Sequence, residues 1–179
     1  AELDAAPPAR ADGGVADFRG KNNQIYSVLS APDFAFNMRT QDTSFMLPKP
    51  RMVDGSFFTQ AFWTVRTSAK EMYHIFMQAA QPGYIVYSRD MKVVNNRSGQ
   101  MWHGYAKDDL NLLMKQSTLY LRCAGWETNV TRKPIYNKIS GPSNWRFDMT
   151  IRPLDDTGIT KNGRSEYKKA APHGLVGQS

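Results

Sequence analysis

Residues Trp145 to Arg152 read Trp-Arg-Phe-Asp-Met-Thr-Ile-Arg, with a large apolar side chain at every odd position and a polar one at every even position. Successive side chains of a strand point to opposite faces of a sheet, so this alternation predicts a half-buried β-strand. The apolar face of such a strand needs a second layer of structure to cover it. The expected members of the core are Trp63, Trp145, Phe147, Met149 and Ile151.

Most of the remaining chain consists of similar short stretches separated by turn residues. The expected strands span residues 24–29, 34–39, 57–66, 71–78, 84–88, 119–123, 126–132 and 135–139. Asp54-Gly55 is interpreted as a turn. Residues 108–115 are the one predicted helix, because Leu110, Leu113 and Met114 have helical spacing, although pairing with neighbouring strands could override it. Turns every eight to twelve residues or so predict an all-β fold, an antiparallel β-sandwich or flattened barrel of about ten short strands with at most one or two short helices.

The longest apolar stretch, residues 57–66, is apolar on both faces and is expected to be a central strand. On a regular strand Phe57 would share one side with Trp63, and Phe58 would lie on the other side with Phe62.

The chain divides into an arm and one domain. Residues 1–14 are rich in Ala, Pro, Gly and Asp and show no hydrophobic period, so they are interpreted as an extended N-terminal arm. Residues 15–179 are interpreted as a single β-sandwich domain. Because Ala1 is not preceded by a methionine, we expect a processed product or a fragment from which any targeting segment has been removed.

The composition is that of a globular protein with excess positive charge. The 179 residues include 22% charged residues and carry a net charge of +7 at pH 7. No apolar run approaches the roughly 20 residues that a membrane-spanning helix needs. The charge favours acidic partners, which are nucleic acid, anionic lipid or an acidic protein. The basic residues are dispersed along the chain, so a simple solvated surface is the preferred interpretation of this charge.

Two stretches near the ends of the chain share a pattern with a known family. Asp12-Gly13-Gly14 precedes Asp17-Phe18-Arg19-Gly20 and Tyr26, and the chain closes on His173-Gly174-Leu175-Val176-Gly177-Gln178. The first stretch resembles the opening of von Willebrand factor type D domains, where Gly-Asp-Pro-His precedes a Phe-Asp-Gly turn and a tyrosine. The second resembles the Gly-Leu-Cys-Gly-Asn signature of that family, in the cysteine-free form of related plant root-cap-type domains. The resemblance implies a β domain with an extracellular or lumenal assembly role.

The sequence departs from this family at its best-known chemistries. Asp12 is followed by Gly13 and not by Pro-His, so we expect no self-cleavage. Cys123 is the one cysteine, so the family disulfides are absent. Family calcium ligands lie beyond the closing stretch, and calcium needs about six to eight oxygen ligands, which Asp155 and Asp156 alone do not supply. We therefore expect no cofactor and assign no catalytic, cofactor-binding or metal-binding residue.

Reactive side chains are few. Cys123 shares a predicted strand face with Leu119 and Leu121, which favours a packed thiol over a nucleophile. The histidines, His74, His103 and His173, show no metal-site spacing, and His74 falls on the more polar face of its strand.

Two pairs of adjacent carboxylates, Asp108-Asp109 and Asp155-Asp156, are interpreted as solvated loop acids, because neighbours on a strand point to opposite faces. We therefore predict that the protein is not an enzyme.

Two tripeptides fit the rule for N-glycosylation acceptors. Asn96-Arg97-Ser98 lies in a polar loop, and Asn129-Val130-Thr131 places Asn129 on the outward face of a strand. Both asparagines are expected to be able to accept a sugar, which gives slight support to a secretory history.

The first functional hypothesis is a non-catalytic structural or interaction module within a larger secreted, cell-surface or lumenal assembly. Its partners would be other protein subunits with acidic surfaces, with no small-molecule substrate and no membrane span, although peripheral membrane contact stays open. The alternative is an accessory subunit of an organellar or membrane-bound complex, docked through its basic surface and the arm of residues 1–14. A hydrolase ranks lower, as does a basic nucleic-acid-binding domain, which the interleaved aromatic and basic residues of 84–97 and 126–145 would suit. Gly20 and Gly174 to Gly177 are expected to fix turns at the two ends of the domain.

Overall fold

A computed structural model describes residues 20–97 and 100–154, and in these ranges every regular element is a strand. The strands are β1 (Ile25–Ala31), β2 (Phe34–Leu47), β3 (Arg51–Arg66), β4 (Met72–Gln78), β5 (Ile85–Ser88), β6 (Met91–Asn95), β7 (Trp102–Lys107), β8 (Leu110–Lys115), β9 (Thr118–Cys123), β10 (Trp126–Pro134), β11 (Lys138–Ser140) and β12 (Trp145–Pro153). All their pairings are antiparallel. The predicted all-β fold is confirmed. The arm of residues 1–14 and Gly174 to Gly177 lie outside the described residues.

Strand β3 joins the two halves of the sheet. Along one edge it pairs with β2, which in turn pairs with β1 and β11. Along its other edge it pairs with β4 from Gln60 onward and with β12 at the pair Phe58 and Phe147. The first half runs from β3 through β4 and β5 to β6, and the second half runs from β12 through β10, β9 and β8 to β7. The result is one nearly closed antiparallel sheet, similar to a barrel or a sandwich.

The core lies between the two halves of the sheet. Trp63 of β3 stacks on Phe36 with ring centroids 4.7 Å apart, and its indole Nε1 donates a hydrogen bond of 2.9 Å to Thr128 Oγ1 of β10. At the other end of the core, the hydroxyl of Tyr84 lies 2.8 Å from His103 Nδ1 of β7. These contacts fix how the second half sits over the first.

The strand predicted at residues 145–152 is confirmed as β12. It pairs with β10 along its full length, from the pair Trp126 and Pro153 to the pair Pro134 and Trp145. Three of the five expected core side chains are buried, and the other two are partly buried and packed against the core. The buried ones are Trp63, Phe147 and Ile151, and the partly buried ones are Trp145 and Met149.

The predicted face of Phe57 is wrong because β3 contains a β-bulge. Arg39 pairs with Gln60, but the next residue of β2 pairs with Phe58, so Thr59 is an extra residue. An extra residue shifts the alternation of side chains by one position. Phe58, and not Phe57, therefore packs against the core.

The predicted helix at residues 108–115 is also wrong, because Leu110–Lys115 forms strand β8. Its buried positions are Leu110, Leu112 and Met114, which alternate, and β7 and β9 pair with its two edges. Asp108, with a φ of 53°, lies in the tight turn that joins β7 to β8. Two neighbouring strands override the weak helical spacing of so short a stretch.

Two further boundaries differ from the prediction. Asp54 and Gly55 lie inside β3, where Asp54 accepts a hydrogen bond of 2.5 Å from Ser44 Oγ of β2. A glycine suits its position because a Cβ there would lie 3.1 Å from the rings of Phe45 and Phe57. The expected strand at residues 135–139 is replaced by the three-residue β11, and β10 extends to Pro134.

Gly20 has a steric reason to be a glycine. A Cβ at this position would lie 2.4 Å from Thr40 Cγ2. Thr40 Oγ1 donates a hydrogen bond of 2.6 Å to the carbonyl oxygen of Lys21, and the Lys21 N–H donates to the Tyr26 hydroxyl at 2.7 Å. The chain entering β1 is thereby held against β2.

Candidate interaction surface

The outward side of the second half of the sheet carries a polar and aromatic surface, which we call the outer face. Its residues stand in rows across β12, β10, β9, β8 and β7. The rows are Arg152, Glu127, Arg122, Asn111 and Ala106; Thr150, Asn129, Tyr120, Leu113 and Gly104; and Asp148, Thr131, Thr118, Lys115 and Trp102.

A groove of about 710 Å³ crosses the outer face over β7, β8 and β9. Its outward-pointing lining residues are Gly104, Ala106, Asn111, Leu113, Tyr120 and Arg122. A Cβ added at Gly104 would meet only the carbonyl oxygen of Leu112, at 3.9 Å. A larger side chain would therefore fit at this position, and the glycine leaves the groove open.

Large apolar side chains stand exposed in this groove and beside it. Trp102 is 60% exposed and Leu113 is 43% exposed. Lys115 Nζ lies 5.2 Å from the centroid of the Trp102 ring, within the range of a cation–π contact. Exposed aromatic and apolar groups surrounded by polar ones are typical of surfaces that bind other proteins.

A buried carboxylate is held at one end of the outer face. Glu127 is 2% exposed; its Oε1 accepts a hydrogen bond of 2.6 Å from Arg152 Nε, and its Oε2 accepts one from Arg122 Nε. Burial by itself would raise the pKa of Glu127, but the hydrogen bonds from Arg152 and Arg122 outweigh it and hold this pKa below its ordinary value. Two guanidinium groups share one carboxylate, so the cluster keeps a net positive charge.

The same arrangement recurs near the middle of β12, where the paired residues Lys133 and Arg146 extend the outer face by one row. Asp148 Oδ2 lies 2.7 Å from Lys133 Nζ, and its Oδ1 lies 3.7 Å from a terminal nitrogen of Arg146. Each carboxylate of the outer face is thus shared between two cations, and Lys115 adds a further positive charge. The face therefore presents an excess of positive charge to a partner.

The candidate reactive residues of the sequence are not brought together. Cys123 is buried, as expected for a packed thiol, and burial raises its pKa to about 12. Its sulfur lies 3.9 Å from Asp109 Oδ2 and 4.0 Å from the carbonyl oxygen of Arg66, and neither described histidine is among these contacts. His74 is exposed and contacts Thr64 at 3.1 Å, as expected for the polar face of its strand. His103 faces the core, and His173 lies outside the described residues.

Asp109 is not the solvated loop acid that was predicted. Its Oδ1 accepts a hydrogen bond of 2.6 Å from the Ser68 N–H, and its Oδ2 accepts one of 3.2 Å from the Ala124 N–H. Burial by itself would raise the pKa of Asp109, but these backbone hydrogen bonds lower it below its ordinary value. Asp109 therefore ties three turns together, whereas Asp108 is exposed. Asp155 and Asp156 lie outside the described residues.

The two glycosylation tripeptides differ in accessibility. Asn96 is 1% exposed, which contradicts the expectation that its side chain could accept a sugar in the folded protein. The Asn96 N–H donates to the Tyr84 carbonyl oxygen at 2.9 Å, so the residue is anchored at the end of β6. Asn129 lies on the outward face, as expected, between Tyr120 and Thr150 in the middle of the outer face.

The aromatic residues considered for nucleic-acid binding are divided between the core and the surface. Tyr136 is 77% exposed, and Tyr87 is partly exposed. Tyr84 and Trp126 are buried, and the Arg132 guanidinium lies 3.5 Å from the centroid of the Trp145 ring on the inward side of β10. The aromatic residues of the outer face, the exposed Trp102 and the partly buried Tyr120, come from other stretches of the sequence. The pattern in the sequence therefore combined core residues with surface residues and did not identify the outer face.

Comparison with protein-family models, with curated protein sequences and with solved structures gives no match for this chain. The resemblance to von Willebrand type D and root-cap-type domains consequently stays a prediction. Within the described residues, no helix is long and apolar enough to cross a membrane.

Proposed function

We propose that this protein is a non-catalytic interaction module that binds an acidic surface of another protein subunit through its outer face. The observation that carries the proposal is the excess of positive charge on this face, where Glu127 and Asp148 are each already held by two cations. An acidic partner would complement this charge, and charge complementarity favours both association rate and specificity.

The groove supplies a place for an apolar anchor. Leu113 lies beside the open position of Gly104, Tyr120 follows Leu113 in the same row, and Arg122 also lines the groove. Binding energy in protein interfaces concentrates in a few apolar or aromatic side chains that fill such pockets, with charged groups at the rim. A partner segment with an apolar side chain next to acidic ones would suit this surface.

The setting of this function rests on the resemblance of the chain ends. That resemblance favours a larger secreted, cell-surface or lumenal assembly. The alternative is an accessory subunit of an organellar or membrane-bound complex, docked through its basic surface and the arm of residues 1–14. Deleting residues 1–14 distinguishes the two hypotheses. If the folded, shortened protein no longer binds its complex, the result supports docking through the arm. If it still binds, the result supports binding through the outer face.

The outer face is tested with two doubly substituted variants of the full chain. Each variant is immobilised and exposed to an extract of the native source, and the proteins that it retains are identified. The first variant combines Lys115→Glu with Tyr120→Ala on the outer face. The control combines Lys92→Glu with Tyr87→Ala, which are cross-strand neighbours on β5 and β6 in the other half of the sheet. Both variants make the same changes of charge and volume.

We expect the wild-type chain to retain an acidic protein that is released by rising salt, because salt screens attraction between exposed charges. The outer-face variant should lose that protein and the control should retain it. Equal retention by both variants would rule out the outer face. Retention of nucleic acid in place of protein would support the lower-ranked nucleic-acid hypothesis.

A further inference from the structure

The described part of the sheet ends in four edge strands, β1, β6, β7 and β11, each with a single neighbouring strand. The backbone groups along the other side of an edge strand form a template for pairing with another chain. Folded proteins commonly protect such edges with bulges, short strands, prolines or charged side chains. The four edges can therefore be compared by how well they are protected.

Three of the four edges are irregular. The pairing of β1 with β2 shifts register between Ser27 and Leu29, and the pairing of β5 with β6 shifts between Val86 and Tyr87. Strand β11 has three residues and a register shift of its own. Strand β7, in contrast, pairs with β8 over six residues with no shift and contains no proline. It is the regular edge of the described sheet.

The direction of the β7 backbone groups follows from one hydrogen bond. The Gln116 N–H donates to the Met101 carbonyl oxygen at 2.6 Å, just beyond the end of the β7–β8 pairing. In an antiparallel pair, residues bonded to the neighbouring strand alternate with residues whose N–H and C=O point away from it. The backbone groups of Trp102, Gly104 and Ala106 therefore point away from β8, and no described residue bonds them.

The side chains of these three residues complement a copy of themselves. If two β7 strands pair antiparallel around Gly104, the two glycines face each other and each Trp102 stands opposite Ala106 of the other copy. A large ring then lies against a small residue and beside a glycine, and an aromatic side chain across from or beside a glycine stabilises a strand pair. Trp102, 60% exposed in the single chain, would be covered.

We propose that β7 pairs with β7 of a second copy of this chain, giving a symmetric dimer centred on Gly104. The N–H and C=O of each of the three edge residues would find a partner in the other copy. The second halves of the two sheets would become one continuous sheet that carries two outer faces. This dimer differs from the binding of an acidic partner, because its hydrogen bonds come from the backbone edge of β7, although Trp102, Gly104 and Ala106 also belong to the outer face.

Salt distinguishes the two kinds of association. Each chain has a net charge of +7, so two copies repel each other at a distance. The repulsion is screened beyond about 8 Å at physiological salt. The dimer should therefore strengthen as salt is raised, whereas binding of an acidic partner should weaken.

The dimer is tested by sedimentation of the full chain over a range of concentrations and salt. Gly104→Pro removes an N–H that points away from β8, a position where an edge strand tolerates proline. Gly104→Lys keeps that N–H but places two like charges opposite each other. Gly104→Ala keeps both the N–H and the neutral side chain and is the matched control. Circular dichroism and thermal unfolding check that each variant is folded.

We expect the wild-type chain and Gly104→Ala to sediment at twice the chain mass of 20.3 kDa at high concentration. Gly104→Pro and Gly104→Lys should sediment at the single-chain mass, and Gly104→Lys decides alone if the proline variant does not fold. A wild-type chain that stays at the single-chain mass at every concentration overturns the proposal. A dimer that persists in Gly104→Lys overturns it as well.

Discussion

Glu127 shows how one buried carboxylate can make stability depend on pH. Its pKa is lowered from the ordinary value of 4.5 by hydrogen bonds from Arg152 and Arg122, which outweigh the opposite effect of burial. A lowered pKa in the folded state means that the ionised group stabilises the fold above the unfolded-state pKa, and that this contribution is lost as pH falls through the folded-state pKa.

We therefore expect Glu127→Gln to be less stable than the wild-type chain at pH 7, with a difference in unfolding free energy that shrinks below about pH 4.5. Urea unfolding of both proteins at a series of pH values measures this difference. A difference that stays constant down to acidic pH would show that ionised Glu127 is not held in this way.

Phe147 tests, with a single side chain, the prediction that the odd positions of β12 face the core. It is 4% exposed and pairs with Phe58 at the junction of the two halves of the sheet. Phe147→Ala should lower the unfolding free energy by about 3 to 5 kcal/mol, the range for removing a buried aromatic ring. Phe62→Ala, which removes a partly exposed ring on the outward side of β3, is the control and should cost clearly less. Similar losses in both variants would contradict the assignment.

Among the elements, β12 could be predicted from the sequence but β8 could not, and the difference is physical. Eight alternating residues in β12 fit only a strand, whereas Leu110, Leu113 and Met114 fit a helix as well as Leu110, Leu112 and Met114 fit a strand. In so short a stretch, pairing with the two neighbouring strands determines the conformation. The local pattern of side chains contains no information about that pairing. The bulge at Thr59 was hidden for a similar reason, since it is a property of pairing and not of β3 alone.

The turns that connect the elements depend on Asp109. Asp109→Ala would leave the N–H groups of Ser68 and Ala124 without their acceptor, and we expect it to cost about 1 to 3 kcal/mol of unfolding free energy. The adjacent change Asp108→Asn removes an exposed charge but keeps a residue type that tolerates the φ of 53° at this position, and it should cost much less. Chemical denaturation of the two variants makes the comparison, and equal effects would show that Asp109 does not tie these turns together.

For the whole molecule, the outer face could not be read from the sequence because it depends on the register of five strands. Glu127, Arg122 and Arg152 come together only after β9, β10 and β12 have paired. The signal that could have found part of this surface is the polar half of the alternation in β9 and β10, which identifies outward side chains but not their neighbours.

Glycosylation provides a check on the proposed use of the outer face. A sugar on Asn129 would cover the middle of this face, and Asn96 is buried, so we expect neither asparagine to carry a glycan. In a peptide mass map of the protein from its native source, the peptides that contain Asn96 and Asn129 should then have their unmodified masses. A mass raised by a glycan that maps to Asn129 would contradict binding through the outer face, although it would support a secretory history.

The most direct measurement is site-specific photo-crosslinking in an extract of the native source. One protein carries a photoreactive phenylalanine derivative in place of Leu113, in the groove of the outer face, and another carries it in place of His74, on the exposed side of the first half of the sheet. We predict that the probe at Leu113 crosslinks to an acidic protein, identified by mass spectrometry, and that the probe at His74 does not. Equal crosslinking from both positions, or none from Leu113, would contradict the proposal that the outer face is the binding surface.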